Sequence, residues 1–190
     1  MTEKLPYQEE QRKELIGGTV VMMSPRPSVN HNHIVFNLSL LFGNYLRGKK
    51  CTPFSDGVDL FLDTDNRFVP DFMVVCDPDK IENDGVHGAP DLVVEVLSPS
   101  TAKNDRGHKK EVYARCGTRE YWIVSPDEKS IEVYRQDKGQ FRFHDLYSQH
   151  PDWMLAKMSE EERAAVVTHF KCCLFDDLEI AIEDIFYRTV

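Results

Sequence analysis

Between His31 and Lys50 apolar residues recur at helical spacing: Val35, Leu38, Phe42 and Tyr45 form one stripe, with Ile34, Leu41 and Leu46 beside it. This predicts a helix, with Ser28 or Asn30 as its cap and a Lys/Arg cluster at its end that suits the helix dipole. Ahead of it, ELIGGTVVMMSP (14–25) reads as two short extended pieces about the Gly17-Gly18 turn, and the two prolines between Ser24 and Ser28 end that hairpin. Three extended segments follow, Val58–Leu62, Phe68–Val75 and Asp91–Leu97. The last two are apolar on both faces, the mark of central strands covered on each side. Asp77–Gly88 reads as a polar loop, and DRGHKKEVYARC (105–116) as a helix stopped by Gly117. YWIV (121–124), IEVYR and FRFHD make a meander with turns at SPDEKS and QDKGQ. Ser159 and Glu162 form a capping-box pattern ahead of a further helix, and Phe175–Phe186 closes the chain as a short packing segment. The pattern predicts one mixed α/β domain, residues 1–190, with helices flanking a central mixed sheet.

Composition changes this picture little. The chain has 190 residues, 41% hydrophobic and 29% charged, enough for one sizeable core. No apolar run is long enough to cross a bilayer, and the polar start MTEKLPYQEEQRKEL lacks the features of a signal or transit peptide. A cytoplasmic protein is therefore expected. Five scattered cysteines with no C-x-x-C pair are expected as reduced thiols. The formal net charge of -9 argues against a generally basic surface for nucleic acid, while leaving room for a local basic patch and for an acidic metal site.

Candidate chemistry lies in PDLVVEVLSPSTAKNDRGHKKEVY (90–113), where Glu95 interrupts an apolar run. Side chains alternate along a strand, so Asp91, Val93, Glu95 and Leu97 share one face. Asp71 sits in a comparable apolar run after Pro70. If these strands are neighbours the two carboxylates lie side by side and repel, and a divalent cation such as Mg²⁺ relieves the conflict. Asp105, Lys109 and Tyr113 follow at i, i+4 and i+8, one stripe of a helix that a short connection folds back toward the end of the Glu95 strand. An amine delivered there can orient water or counter charge on a phosphate.

These motifs, P-D, then E-V-x-S-P-S-T, then D-x-x-x-K-x-x-x-Y, then E-Y-W-I-V, resemble the Uma-two family of restriction-endonuclease-like proteins, within the PD-(D/E)xK nuclease superfamily. The likeness extends to ELIGGTVVMMSPRPSVNHNHI and to the closing DLEIAIEDIF, and is poor over 148–173. It implies a restriction-endonuclease-like core and a metal-dependent endonuclease hydrolysing DNA. Asp71, Glu95 and the main-chain carbonyl of Val96 would hold Mg²⁺ or Mn²⁺, Lys109 would be the catalytic amine, and Glu14, His31, Asp91 and Tyr113 would support them. The sequence departs from E-x-K at Leu97, where the superfamily lysine would stand, and Lys109 on the following helix is the replacement. A homodimer is compatible with such an enzyme.

Each residue also has a plainer reading. Glu95 can form an internal ion pair with Lys109 or Arg115, and buried pairs of this kind are often replaceable by apolar residues. Asp71 can begin a strand, Asp91 can cap a loop, Lys109 can be a solvated charge and His31 a core histidine. Lys103, Arg106 and Lys110, with Arg47, Lys49 and Lys50, read equally as a phosphate-facing patch or a solvated face. The rival to the enzyme is a catalytically degenerate module that binds nucleic acid or protein. No G-x-S-x-G elbow, phosphate-binding G-x-x-x-x-G-K-S/T or dinucleotide G-x-G-x-x-G occurs.

Overall fold

A computed structural model describes residues 12–22 and 26–190. The expected end of the hairpin at Ser24 and Pro25 lies outside these residues, as does most of the polar start. The chain runs β1 (Lys13–Ile16), β2 (Thr19–Met22), α1 (Val29–Leu46), β3 (Thr52–Ser55), β4 (Leu60–Asp63), β5 (Asn66–Phe68), β6 (Phe72–Val75), β7 (Ile81–Glu82), β8 (Gly85–His87) and β9 (Leu92–Val96). It continues with α2 (Ala102–Arg106), α3 (His108–Cys116), β10 (Glu120–Ser125), β11 (Ser130–Asp137), β12 (Gln140–Ser148), α4 (Asp152–Leu155), α5 (Glu160–Ala164), β13 (His169–Lys171), β14 (Glu179–Ala181) and α6 (Ile182–Ile185).

The central sheet has the order β12-β11-β10-β9-β6-β3. β9 and β10 are parallel, joined by the α2–α3 crossover; β6 runs antiparallel to β9. A second six-stranded sheet, β2-β1-β5-β4-β8-β7, and the β13–β14 pair complete the strands. Alternation along the central strands sorts the core into two layers. Phe72, Val74, Leu92, Val94 and Val96 face α1, whose Ile34, Leu38, Phe42 and Leu46 are buried there with Trp122 and Ile180. Met73, Val75, Val93, Tyr121 and Ile123 face the opposite way, onto Val112 and Tyr113 of α3 and onto Leu60, Phe68 and Val86 of the second sheet. Glu95 belongs by parity to this second face. The register pairs Phe72 with Val94 and Met73 with Val93, and continued by one residue it sets Asp71 opposite Glu95.

Local chemistry explains the ends of several elements. Ser28 caps α1 by accepting the His31 N–H at 3.1 Å. Gly17 and Gly18, at φ 56° and 76°, make the two-residue β1–β2 turn that favours residues free of a Cβ. Several expectations need correction. Phe68–Val75 is two strands, because Val69-Pro70-Asp71 interrupts the ladder. Asp77–Gly88 is a 3₁₀ turn and the β7–β8 hairpin rather than a loop. The helix expected over 105–116 is two helices broken at Gly107, where a Cβ would lie 2.9 Å from the Lys103 carbonyl. The Ser159–Glu162 capping box is present, but α5 is five residues long with no buried residue. Cys51 and Cys76, one residue beyond the paired ends Thr52 of β3 and Val75 of β6, form a disulfide; only Cys116, Cys172 and Cys173 are free among the described residues.

Candidate active site

Several elements converge at the C-terminal end of β9. The β1 strand supplies Glu14, the residue just before β6 supplies Asp71, β9 supplies Glu95, and the two crossover helices α2 and α3 supply Asp105 and Lys109. All five line one cleft of about 870 Å³, together with His31 from the first turn of α1 and Val96. Glu14, Glu95, Asp105 and Lys109 are each 5% exposed or less.

Lys109 is the hub of the floor. Its Nζ lies 2.8 Å from Glu14 Oε1, 3.1 Å from Glu95 Oε1 and 3.7 Å from Asp105 Oδ1. Glu95 Oε1 also accepts the Tyr113 hydroxyl at 2.8 Å, and Glu14 Oε1 accepts the Val69 N–H at 2.9 Å. Asp71 is held on its other side: Oδ2 accepts the Val96 N–H at 2.7 Å and Oδ1 meets His31 Nε2 at 3.0 Å. The Val96 bond shows why Asp71 departs from the ladder, since its side chain takes the place of a strand carbonyl. Asp105 is fixed through its backbone, its carbonyl accepting the Tyr121 hydroxyl at 2.9 Å. Its Oδ1 is buried and has no hydrogen-bond donor, and the same holds for the Nδ1 acceptor or donor of His31.

Three carboxylates thus share one ammonium, with Asp71 lining the same cleft, and the protonation equilibria of Glu95 and Asp105 record the excess of negative charge. Burial pushes the Glu95 carboxyl well above its ordinary range; Lys109 opposes this, and the charges of Asp105, Asp71 and Glu14 add to it. Burial, likewise against the pull of Lys109, moves Asp105 up to about 6. Burial lowers the affinity of Lys109 for its proton, but the charges of Glu95, Glu14 and Asp105 outweigh it and hold the ammonium firmly charged. For His31 burial again works downward, and the hydrogen bond and charge of Asp71 raise it overall.

The sequence-predicted residues divide clearly. Asp71, Glu95, Val96, Lys109, Glu14, His31 and Tyr113 come together. Asp91 does not: it sits at the other end of β9, where its carboxylate accepts the Cys76 N–H at 2.8 Å and lies 3.8 Å from Arg119. Arg106 and Lys110 are also elsewhere, turned to β11, with Arg106 2.6 Å from Glu132 and the Lys110 ammonium 3.4 Å from the Tyr134 ring centre. Exposed Lys103 does not line the cleft either. Arg47, Lys49 and Lys50 follow the C-terminus of α1, about 24 Å along the helix axis from His31 at 1.5 Å per residue. The arginines that do line the cleft are Arg12 and Arg26, and Arg12 is bound to Asp56 by two contacts of 2.7 and 2.8 Å. Asp105 was visible on the Lys109 stripe, but its burial was not.

The donor set fits a hard divalent cation in kind: carboxylate oxygens in excess over positive charge, one of them buried and without a donor. Their present spacing is wider than a closed cage. Among the described residues the one trio of candidate ligand atoms within 4.8 Å of each other is Glu82, Asp84 and His87 on the exposed β7–β8 hairpin.

The architecture is shared with a solved protein. It superposes on a crystal structure of "a putative nuclease belonging to DUF820" from Anabaena variabilis with a TM-score of 0.69, at 21% identity, covering 96% of this chain and 93% of that one. The chain belongs to the Uma2 family, described as "Putative restriction endonuclease", which it matches over residues 2–166. Two uncharacterized Synechocystis sp. proteins are similar to it. One, slr1290, is 33% identical over 85% of this chain and 80% of its own length; the other, sll1609, is 27% identical over 68% and 75%.

Proposed function

We propose that the protein is a metal-dependent endonuclease that hydrolyses phosphodiester bonds in DNA. One observation carries this reading: three carboxylates, from Glu14, Glu95 and Asp105, surround the ammonium of Lys109 on the floor of an open cleft that a fourth, from Asp71, also lines. Nuclease family membership and the nuclease-like fold support it. Asp71, Glu95 and the carbonyl of Val96 are the residues to hold Mg²⁺ or Mn²⁺, which when bound supplies Lewis acidity and a water acidic enough to attack near neutral pH. Lys109 directs that water and counters charge on the phosphate. His31 orients Asp71, Tyr113 orients Glu95, and Glu14 anchors Lys109. Arg12, Arg26, Asn30, Asn32, Ser98 and Asn104 line the walls where a nucleic-acid backbone would lie.

Cutting both strands calls for two such sites, so a second copy of the chain belongs to the proposal. A cytoplasmic location belongs to it too, and there the Cys51–Cys76 disulfide must withstand a reducing compartment. The test is cleavage of plasmid DNA with Mn²⁺ or Mg²⁺ against EDTA. Glu95→Gln should lower the rate by about 10²-fold or more while the protein stays folded, and Lys109→Ala should do the same in preparations whose circular dichroism shows a native fold. Unchanged cleavage in both variants refutes the assignment. DNA binding without cleavage by the wild type would favour a degenerate binding module, for which Leu97 in the usual lysine position is the specific pointer.

A further inference from the structure

We propose that Asp105 is a positioning residue that receives the Lys109 ammonium when Glu95 turns to a cation. The inference rests on the metal-dependent reading above and concerns only this chain's own groups. In the arrangement described, Lys109 is bonded to Glu14 and Glu95, and its third neighbour, Asp105 Oδ1, is 3.7 Å away, beyond hydrogen-bond reach. That oxygen is buried and has no donor. Buried acceptors are normally satisfied, and an unmet one is costly. Asp105 is 1% exposed, is tied through its carbonyl to Tyr121, and lines the same cleft as Glu95. Glu95 cannot serve a cation fully while its Oε1 accepts both Lys109 and Tyr113. Releasing Lys109 from Glu95 calls for another acceptor close to the ammonium, and Asp105 Oδ1 stands 3.7 Å away with its lone pairs unused. Asp105 on α2 and Lys109 on α3 already stand 3.7 Å apart across the Gly107 break, so an ordinary hydrogen bond needs the ammonium to move by about 1 Å. Asp105 thus keeps the amine in the cleft while Glu95 is engaged elsewhere.

The test is Mn²⁺ binding to the full chain by calorimetry, in a two-by-two cycle of Asp105→Asn and Lys109→Gln. Asp105→Asn should weaken Mn²⁺ binding about 10- to 100-fold, and the loss should disappear in the Lys109→Gln background. A loss that persists without the lysine would make Asp105 a ligand and overturn the handover. Equal affinity in wild type and Asp105→Asn would overturn it while leaving the metal site intact. No Mn²⁺ uptake by the wild type would defeat the metal reading and the handover together. Because Lys109→Gln leaves acids unpaired and is at risk of misfolding, the wild type offers a second measurement. In lysine-¹⁵N-labelled protein the Lys109 Nζ resonance should shift on saturation with diamagnetic Mg²⁺, and an unmoved resonance overturns the proposal.

Discussion

Replacing Asp105 by asparagine should make the metal-free protein more stable at neutral pH, although it alters a residue 1% exposed at the centre of the cluster. The Asp105 carboxyl is raised from 3.8 to about 6, burial outweighing the attraction of Lys109. At 1.36 kcal/mol per pH unit the ionised form costs about 3 kcal/mol in the folded state relative to the unfolded chain. The folded protein binds this proton more tightly than the unfolded one. The associated stability is therefore complete below about pH 4 and is lost as pH rises through about 6. Asparagine has no such proton to lose and carries no charge into the buried cluster. Its amide N–H₂ needs partners, which offsets about 1–2 kcal/mol. The expected net gain is about 1–2 kcal/mol at pH 7.5, a rise in Tm of roughly 2–8 °C for a chain of this size. Thermal unfolding in EDTA from pH 4 to 8 reads it directly. Near pH 4, where the aspartic acid is neutral, the variant should be the less stable by its amide cost, and the two curves should cross between pH 4 and 6. A variant less stable than wild type at pH 7.5, or a difference that does not change across that window, would refute the reasoning.

Tyr113→Phe keeps the buried ring but removes the hydroxyl that donates to Glu95 Oε1 at 2.8 Å; urea unfolding should report a loss of about 1–3 kcal/mol, and no loss would mean that Glu95 does not need that donor. The disulfide joins residues 25 apart, so the oxidised protein should exceed the Cys51→Ser/Cys76→Ser variant by about 3 kcal/mol in denaturant. Coincident unfolding curves, or two free thiols at Cys51 and Cys76 in the native wild type, would contradict the bond.

What the sequence made legible was whatever depends on period and short spacing. Alternation in DLVVEVL put Glu95 on one face and Val94 and Val96 on the other, and these do face separate cores. The Asp105–Lys109–Tyr113 stripe was readable for the same reason. What remained hidden depends on which distant segments meet. The disulfide needs the β3–β6 register, which pairs Thr52 with Val75 and so brings Cys51 to Cys76. No motif announces it. The β7–β8 hairpin forms in a polar stretch because β8 finds β4, with Gly85 admitting the Asp59 carbonyl where a Cβ would be 2.3 Å away. The partners of Arg106 and Lys110 were hidden for the same reason, since only β11 brings Glu132 and Tyr134 beneath them.

Leu97 shows how the plain and the chemical readings of Glu95 join. A lysine there would share the Glu95 face of β9; the leucine instead packs, partly buried, against the core formed by Val93, Tyr113 and Ile123. The amine comes from α3, and its anchoring there by Glu14 does not depend on β9. A strand-borne lysine is fixed two residues from the glutamate. A helix-borne one can hold the glutamate as an ion pair and then let it go, because its tether and its partner belong to different elements. The 3.1 Å Lys109–Glu95 pair is thus the resting form of the site under the proposed function and not a rival to it. The buried charge excess explains why such a pair persists: with three further carboxylates nearby, apolar replacement of Lys109 alone would leave Glu95 and Asp105 facing each other without a cation.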